Sequence, residues 1–131
     1  MYKPPTNKKE IVTKPWGREE ILVKNYFYCL KRLYVNADAR LSLQYHMEKL
    51  ETMILERGEC ILQIDNHAVP MAIDIPYTIS PLTKHRLWAV QDSVILEVST
   101  PELDDVVRLD DDYDRVEKKG TKSNIDWGKT R

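Results

Sequence analysis

What most constrains this chain is how its apolar residues are spaced. Helical periodicity is scarce, and short runs rich in β-branched, aromatic and aliphatic residues recur instead between turn-forming residues. Such runs bury one face of a pleated strand rather than one stripe of a helix. Strands are predicted over 19–24, 27–35, 40–46, 52–57, 60–65, 68–74, 77–80, 85–90 and 94–100. Gly58-Glu59 and Asp65-Asn66-His67 lie between runs of matching length and read as hairpin turns. Nine short strands with closely spaced turns predict an all-β protein, either an antiparallel barrel or a sandwich.

The 131 residues suffice for one domain with one core. Twenty basic residues against 21 acidic ones leave a net charge of −1, so no electrostatic pull toward nucleic acid is expected. No apolar run approaches the roughly 20 residues that cross a bilayer, and the first ten residues lack a secretion-type apolar stretch; a soluble cytoplasmic protein with no membrane partner is expected.

Residues 1–10 contain Pro4-Pro5 and read as an extended arm, residues 11–117 as the folded domain, and residues 118–131 as a flexible, irregular or short helical tail unless Trp127 docks. Cys29 and Cys60 sit inside apolar runs and read as buried thiols of a reducing compartment, with a disulfide or a metal role as the alternatives. The acidic stretch 101–115 reads as a solvated face or a helix start, and its place after the last strand also lets it fold back over a barrel mouth.

The chemistry concentrates in residues 41–58, LSLQYHMEKLETMILERG. Residues two apart on a strand share a face, so Gln44 and His46 can point inward together. Glu51 follows after a bend, and His85 lies on a later strand that can neighbour them once the sheet closes. Two imidazoles, a carboxylate and an amide oxygen suit one divalent ion: zinc, or else nickel, manganese, cobalt or iron. Taken singly, a strand histidine is more often a core or surface residue than a ligand. His67, in a turn without a partner at ligand spacing, fits that description.

The four positions together resemble the two cupin motifs, G-x5-H-x-H-x3,4-E-x6-G and P-x-G-x2-H-x3-N. Asp38, Gln44, His46, Glu51 and Gly58 fall on the first, and Ser80, Leu82, His85 and Ala89 on the second. More narrowly, residues 14–115 resemble the cupin domain of type II mannose-6-phosphate isomerases. Lys14-Pro15-Trp16-Gly17, Leu41-Ser42-Leu43-Gln44, His85-Arg86, Glu97-Val98 and the run Arg108, Asp111, Tyr113, Arg115 carry the likeness.

That family replaces the first cupin histidine by glutamine, as Gln44 does here. The family's H-x-x-R-x-E-x-W becomes His46, Lys49, Glu51 and Met53, and its closing Y-G-R becomes Tyr113-Asp114-Arg115. The resemblance implies a single-domain cupin, a double-stranded β-helix or jelly-roll barrel. It implies a metal-dependent isomerase that interconverts mannose 6-phosphate and fructose 6-phosphate through an enediol. Gln44, His46, Glu51 and His85 would hold the metal, Arg115 and Lys49 would be catalytic, and Tyr113 would bind the phosphorylated sugar. Lys84 and Arg86 flank His85 on its strand, so their side chains should point away from it and could bind the phosphate only near the mouth. Trp88, more simply a packing residue, is close enough to His85 to line the cavity and bind the sugar.

The alternatives are a cupin acting on another sugar phosphate or a nucleotide sugar, a non-catalytic sugar-binding module, and a metal-dependent oxygenase. No Gly-rich phosphate loop occurs among the four glycines, which argues against nucleotidyl transfer. A homodimer formed through an edge strand is expected, with Tyr26, Phe27 and Tyr28 as an apolar candidate surface, although simple core packing of these aromatics is the favoured reading.

Overall fold

The computed structural model describes residues 9–115. Among them are eleven strands and no helix, in two antiparallel sheets that face each other. One sheet contains β1 (Glu10–Lys14), β2 (Gly17–Lys24), β3 (Cys29–Val35), β5 (Glu51–Arg57), β8 (Pro76–Ile79) and β10 (Ser93–Ser99), in the order β1-β2-β3-β10-β5-β8. The other contains β4 (Leu43–Tyr45), β6 (Cys60–Ile64), β7 (His67–Pro70), β9 (His85–Ala89) and β11 (Val107–Asp110), in the order β11-β4-β9-β6-β7.

Strand alternation accounts for the core. On β3, Cys29, Leu33 and Val35 are buried while Leu30, Arg32 and Tyr34 are not; on β5, Met53 and Leu55 are buried in the same phase. With Leu62, Ile79, Leu87 and Ile95 from the remaining strands they fill the space between the sheets. Burying each such side chain contributes about 1.5–3 kcal/mol relative to leaving it in water. Cys29 and Cys60 are both free and buried, and burial pushes both thiols up.

Two strands lie outside the predicted set. Glu10, expected in the extended arm, begins β1, which pairs with β2 from Glu10↔Ile21 to Lys14↔Gly17. The turn between them explains the Lys-Pro-Trp-Gly run. Pro15 follows Lys14 into the turn, Trp16 is buried in the core, and a Cβ on Gly17 would lie 1.9 Å from the Tyr34 carbonyl oxygen. The second is β11, inside the acidic stretch. It is neither a solvated face nor a helix start but a short edge strand paired with β4, folded back as its position after the last main strand allows. Its alternating Asp, Val, Arg and Leu hide the apolar period.

Other expectations need correcting. The run at 68–74 ends as a strand at Pro70, and Asp74 adopts a left-handed φ of 65°. Tyr26, Phe27 and Tyr28 are 93%, 80% and 46% exposed rather than core. They form the β2–β3 connection, where Asn25 Oδ1 accepts hydrogen bonds from the amides of Phe27 and Tyr28. Residues 1–8 of the expected arm and the expected tail at 118–131, with Trp127, lie outside the described residues. No helix among the described residues is long and apolar enough to cross a membrane.

The motif glycines show a pattern of their own. Asp38, Leu82 and Asp114 occupy positions where the resembled motifs carry glycine, and their φ angles are 66°, 67° and 64°. The left-handed backbone is kept although the residue best suited to it is gone. Gly58 differs, because at φ 100° a Cβ there would meet the Ser93 Oγ at 2.3 Å and the Asp92 carbonyl oxygen at 2.4 Å.

Candidate metal centre

His46 follows β4, Glu51 opens β5 and His85 opens β9, and one ligand atom from each lies within 4.8 Å of the others. All three side chains are buried. Glu51 Oε2 is 3.2 Å from His46 Nε2 and 2.8 Å from His85 Nε2. Each imidazole is oriented from behind: His46 Nδ1 faces the Asp105 carbonyl oxygen, and His85 Nδ1 lies 2.9 Å from that of Thr83.

A carbonyl oxygen only accepts, so the ring proton of a neutral imidazole sits on Nδ1 and the Nε2 lone pair faces the site. Two nitrogen lone pairs therefore converge on a carboxylate, and His85 Nε2 is buried without a hydrogen bond among the described residues. Protonating both rings would bury two additional charges; one divalent ion satisfies all three groups at once. The donor set thus fits a metal, and carbonyls that orient histidines from outside the ligand set are a common feature of metal sites. Burial pushes the Glu51 carboxyl up, but the adjoining His46 and His85 rings, which donate to it only when protonated on Nε2, and the Lys49 charge outweigh it and hold Glu51 below the usual carboxylate range.

The bend between His46 and Glu51 is organised by Asp105. Its Oδ1 accepts from the Met47 amide at 2.9 Å, and its Oδ2 from the amides of Glu48 and Lys49 at 2.7 and 2.9 Å. These backbone bonds, chiefly from Glu48 and Met47, hold its carboxyl below its ordinary value. Gln44 sits directly opposite His85 in the β4–β9 register and lines the same cavity, with its Oε1 accepting from the Ser42 hydroxyl at 2.6 Å.

The cavity has a volume of about 400 Å³, within the range of small-molecule sites. Lys49 is buried between two carboxylates, 3.6 Å from Glu51 and 3.7 Å from Glu97. Glu97 stands opposite Lys31, which is 3.3 Å from Glu19. Charge therefore alternates across the inner face of the first sheet: Glu19, Lys31, Glu97, Lys49, Glu51. Burial pushes the Glu97 carboxyl up and the Glu51 charge adds to it, against the pull of Lys49 and Lys31.

Of the predicted site residues, the structure brings Gln44, His46, Lys49, Glu51, His85, Arg86 and Arg115 to this cavity. Arg86 is committed to the wall, donating to the carbonyls of Leu41 and Asp110 and pairing with the Asp110 carboxylate at 3.3 Å. Arg115 is held by Asp111, with Nε 2.7 Å from Oδ2 and Nη2 3.2 Å from Oδ1. Lys84 and Trp88 are exposed and absent from the cavity lining, whereas Arg86, the other neighbour of His85, is buried and lines it. Tyr113 packs against the hydrophobic core instead of lining the cavity.

Sequence reasoning missed Glu19, Lys31, Glu97 and Asp105. A signal existed for two of them. Lys31 falls in phase with the buried Cys29, Leu33 and Val35, and Glu97 with the buried Ile95 and Ser99. A charge in the apolar phase of a strand marks a polar cavity.

A family model described as "Mannose-6-phosphate isomerase C-terminal" matches residues 3–111. No curated protein matches the chain. Among solved structures, Pac13 of Streptomyces, described as a nucleoside dehydratase, aligns with a TM-score of 0.69 at 15% identity, covering 85% of this chain and 92% of its own. An RmlC-like cupin from Shewanella frigidimarina aligns with a TM-score of 0.67 at 12% identity, covering 79% and 93%. KdgF from Halomonas sp. aligns with a TM-score of 0.65 at 12% identity, covering 75% and 89%. These structures share the all-β cupin fold with the chain.

Proposed function

Because the chain belongs to the mannose-6-phosphate isomerase C-terminal family, we propose that it is a metal-dependent aldose–ketose isomerase interconverting mannose 6-phosphate and fructose 6-phosphate. The observation that carries this reading is the convergence of His46, Glu51 and His85 beside a buried, protonatable carboxyl. The three would hold one divalent ion, with Gln44 in place as a further oxygen donor; two histidines and a glutamate make zinc the first candidate. The ion would supply Lewis-acid stabilisation of oxygen charge as the sugar carbonyl migrates.

The chain's own residues do the rest. Isomerisation moves a proton between neighbouring carbons through an enediol, so a group in the cavity must take it and return it. Glu97 suits that work, since a carboxyl raised toward neutrality is the better base. Lys49, next to it, brings N–H donors to the sugar oxygens on which charge develops. Arg115, fixed by Asp111, contributes a guanidinium to the same cavity. The apolar walls at Leu33, Met53 and Leu87 exclude water from the carbons.

Lys49 in place of the family's arginine favours a second reading, a related sugar phosphate or nucleotide sugar as substrate, because an ammonium gives up bidentate recognition. Conversion of mannose 6-phosphate to fructose 6-phosphate, measured before and after chelation and again after metal is restored, tests the first reading. Metal-dependent turnover is expected. Metal-loaded protein that converts other phosphorylated sugars but not this pair would move the assignment to the second.

A further inference from the structure

The far end of the cavity gathers positive charge. Strand β11 places Arg108 opposite Gln44, and β4 places Gln44 opposite His85, so the three form a row across three strands. Two strand spacings separate the backbones of Arg108 and His85 by about 10 Å. Arg108 lines the cavity, and its buried Nε finds no acceptor among the described residues. Arg115 and Lys14 line the same space.

Three of the nearby acids are already engaged: Asp111 holds Arg115, Glu19 lies within 3.7 Å of Lys14 and 3.3 Å of Lys31, and Glu10 is 3.6 Å from Lys24. Burial lowers both Arg108 and Lys14, and repulsion from Arg115 adds to it in both; Lys14 is further lowered by Lys31 and Arg108. Three cations thus share a partly enclosed space in which one guanidinium presents a buried, unmet donor.

We propose that Arg108, Arg115 and Lys14 form an anion subsite that takes the phosphoryl group of the ligand while its other end lies at His46, Glu51 and His85. A phosphoryl group supplies the acceptors that Arg108 lacks and offsets the mutual repulsion of the three cations. The strand spacing between the two ends is comparable with the length of an open six-carbon sugar. The inference rests on the isomerase reading for the rest of the ligand, but not for the anion.

The probe is inorganic phosphate, titrated calorimetrically into the full chain, alone and with Arg108→Gln, Arg108→Lys and Lys14→Gln. One phosphate per chain is expected, bound at least tenfold more weakly by Arg108→Gln, partly restored in Arg108→Lys and weakened in Lys14→Gln, with metal content unchanged throughout. Phosphate that fails to bind, or binds Arg108→Gln and Lys14→Gln as tightly as the parent, overturns the subsite; equal binding would place the anion at the metal instead. Should Arg108→Gln not fold, Lys14→Gln alone decides.

Turnover separates this inference from the isomerase reading. Arg108-dependent phosphate binding without conversion of mannose 6-phosphate leaves the subsite standing and removes the isomerase. Conversion with KM unchanged in Arg108→Gln does the reverse.

Discussion

The two ends of the cavity are held by different means. At the metal end, the ligands come from short segments whose turns are fixed by backbone hydrogen bonds: Asp105 binds the amides of Met47, Glu48 and Lys49, and the Leu82 amide donates to the His46 carbonyl at 2.7 Å. At the basic end, Lys14, Arg108 and Arg115 come from the first strand, the last strand and the segment after it; strand pairing places Lys14 opposite Gly17 and Arg108 opposite Gln44, and Asp111 holds Arg115. One end is set by local geometry, the other by what the termini of the domain pack against. Substitutions at the metal end should therefore alter ion binding, and those at the basic end should leave it untouched.

The largest effect is expected at Lys49, which sits between the two ends. Lys49→Met leaves Glu51 and Glu97 buried without their shared cation and should destabilise the metal-free protein by about 3–5 kcal/mol. Urea unfolding with and without metal sharpens the comparison, since an ion on Glu51 should restore part of the loss. Equal destabilisation in both states would mean that Glu51 does not meet the ion.

Asp105→Ala removes the acceptor that shapes the bend between His46 and Glu51. Metal affinity should fall by about 10–100-fold, as when groups that orient ligands are removed. Titration with a chelating indicator reads it, and an unchanged affinity would break the claim that the bend sets this end.

Asp111→Asn is the counterpart at the other end. It should lower stability by about 1.5 kcal/mol near neutral pH while metal uptake stays as it was. Burial raises the Asp111 carboxyl, but hydrogen bonding and charge from Arg115 outweigh it and hold it below its ordinary value. The stabilisation is therefore complete above the unfolded carboxylate value of about 3.9 and is lost as pH falls through the lower folded value. Stability curves of parent and variant should converge in acid; parallel curves would deny that the pair is ionic.

Much of the metal end was legible in the sequence, because ligand spacing on strands survives changes in everything around it. The structure brings together His46, Glu51 and His85, which motif spacing and the cupin resemblance single out. The basic end was not, for a physical reason: Arg108 lies on a strand whose acidic neighbours disguise its period, and β1 begins in a segment that reads as an arm. Lys84, expected from strand parity to point away from His85, lies outside the cavity with Trp88, whereas Arg86, to which the same parity applied, reaches the cavity wall. Asp105 carries no motif, and only its contacts identify it.

The smallest effect is expected at the glycine positions. Leu82→Gly should stabilise the protein by about 0.5–1 kcal/mol, by relieving a left-handed leucine that is 62% exposed, with no change in cavity chemistry. Thermal unfolding measures it. Destabilisation would mean that Leu82 makes a contact worth more than its backbone strain.

All of this depends on an ion seated among His46, Glu51 and His85. The direct measurement is a calorimetric titration of chelator-treated protein with zinc, alongside His46→Ala, Glu51→Ala and His85→Ala. One ion per chain in the parent, with binding lost in each folded variant, is predicted. No uptake by the parent, or full uptake by the three variants, would contradict it.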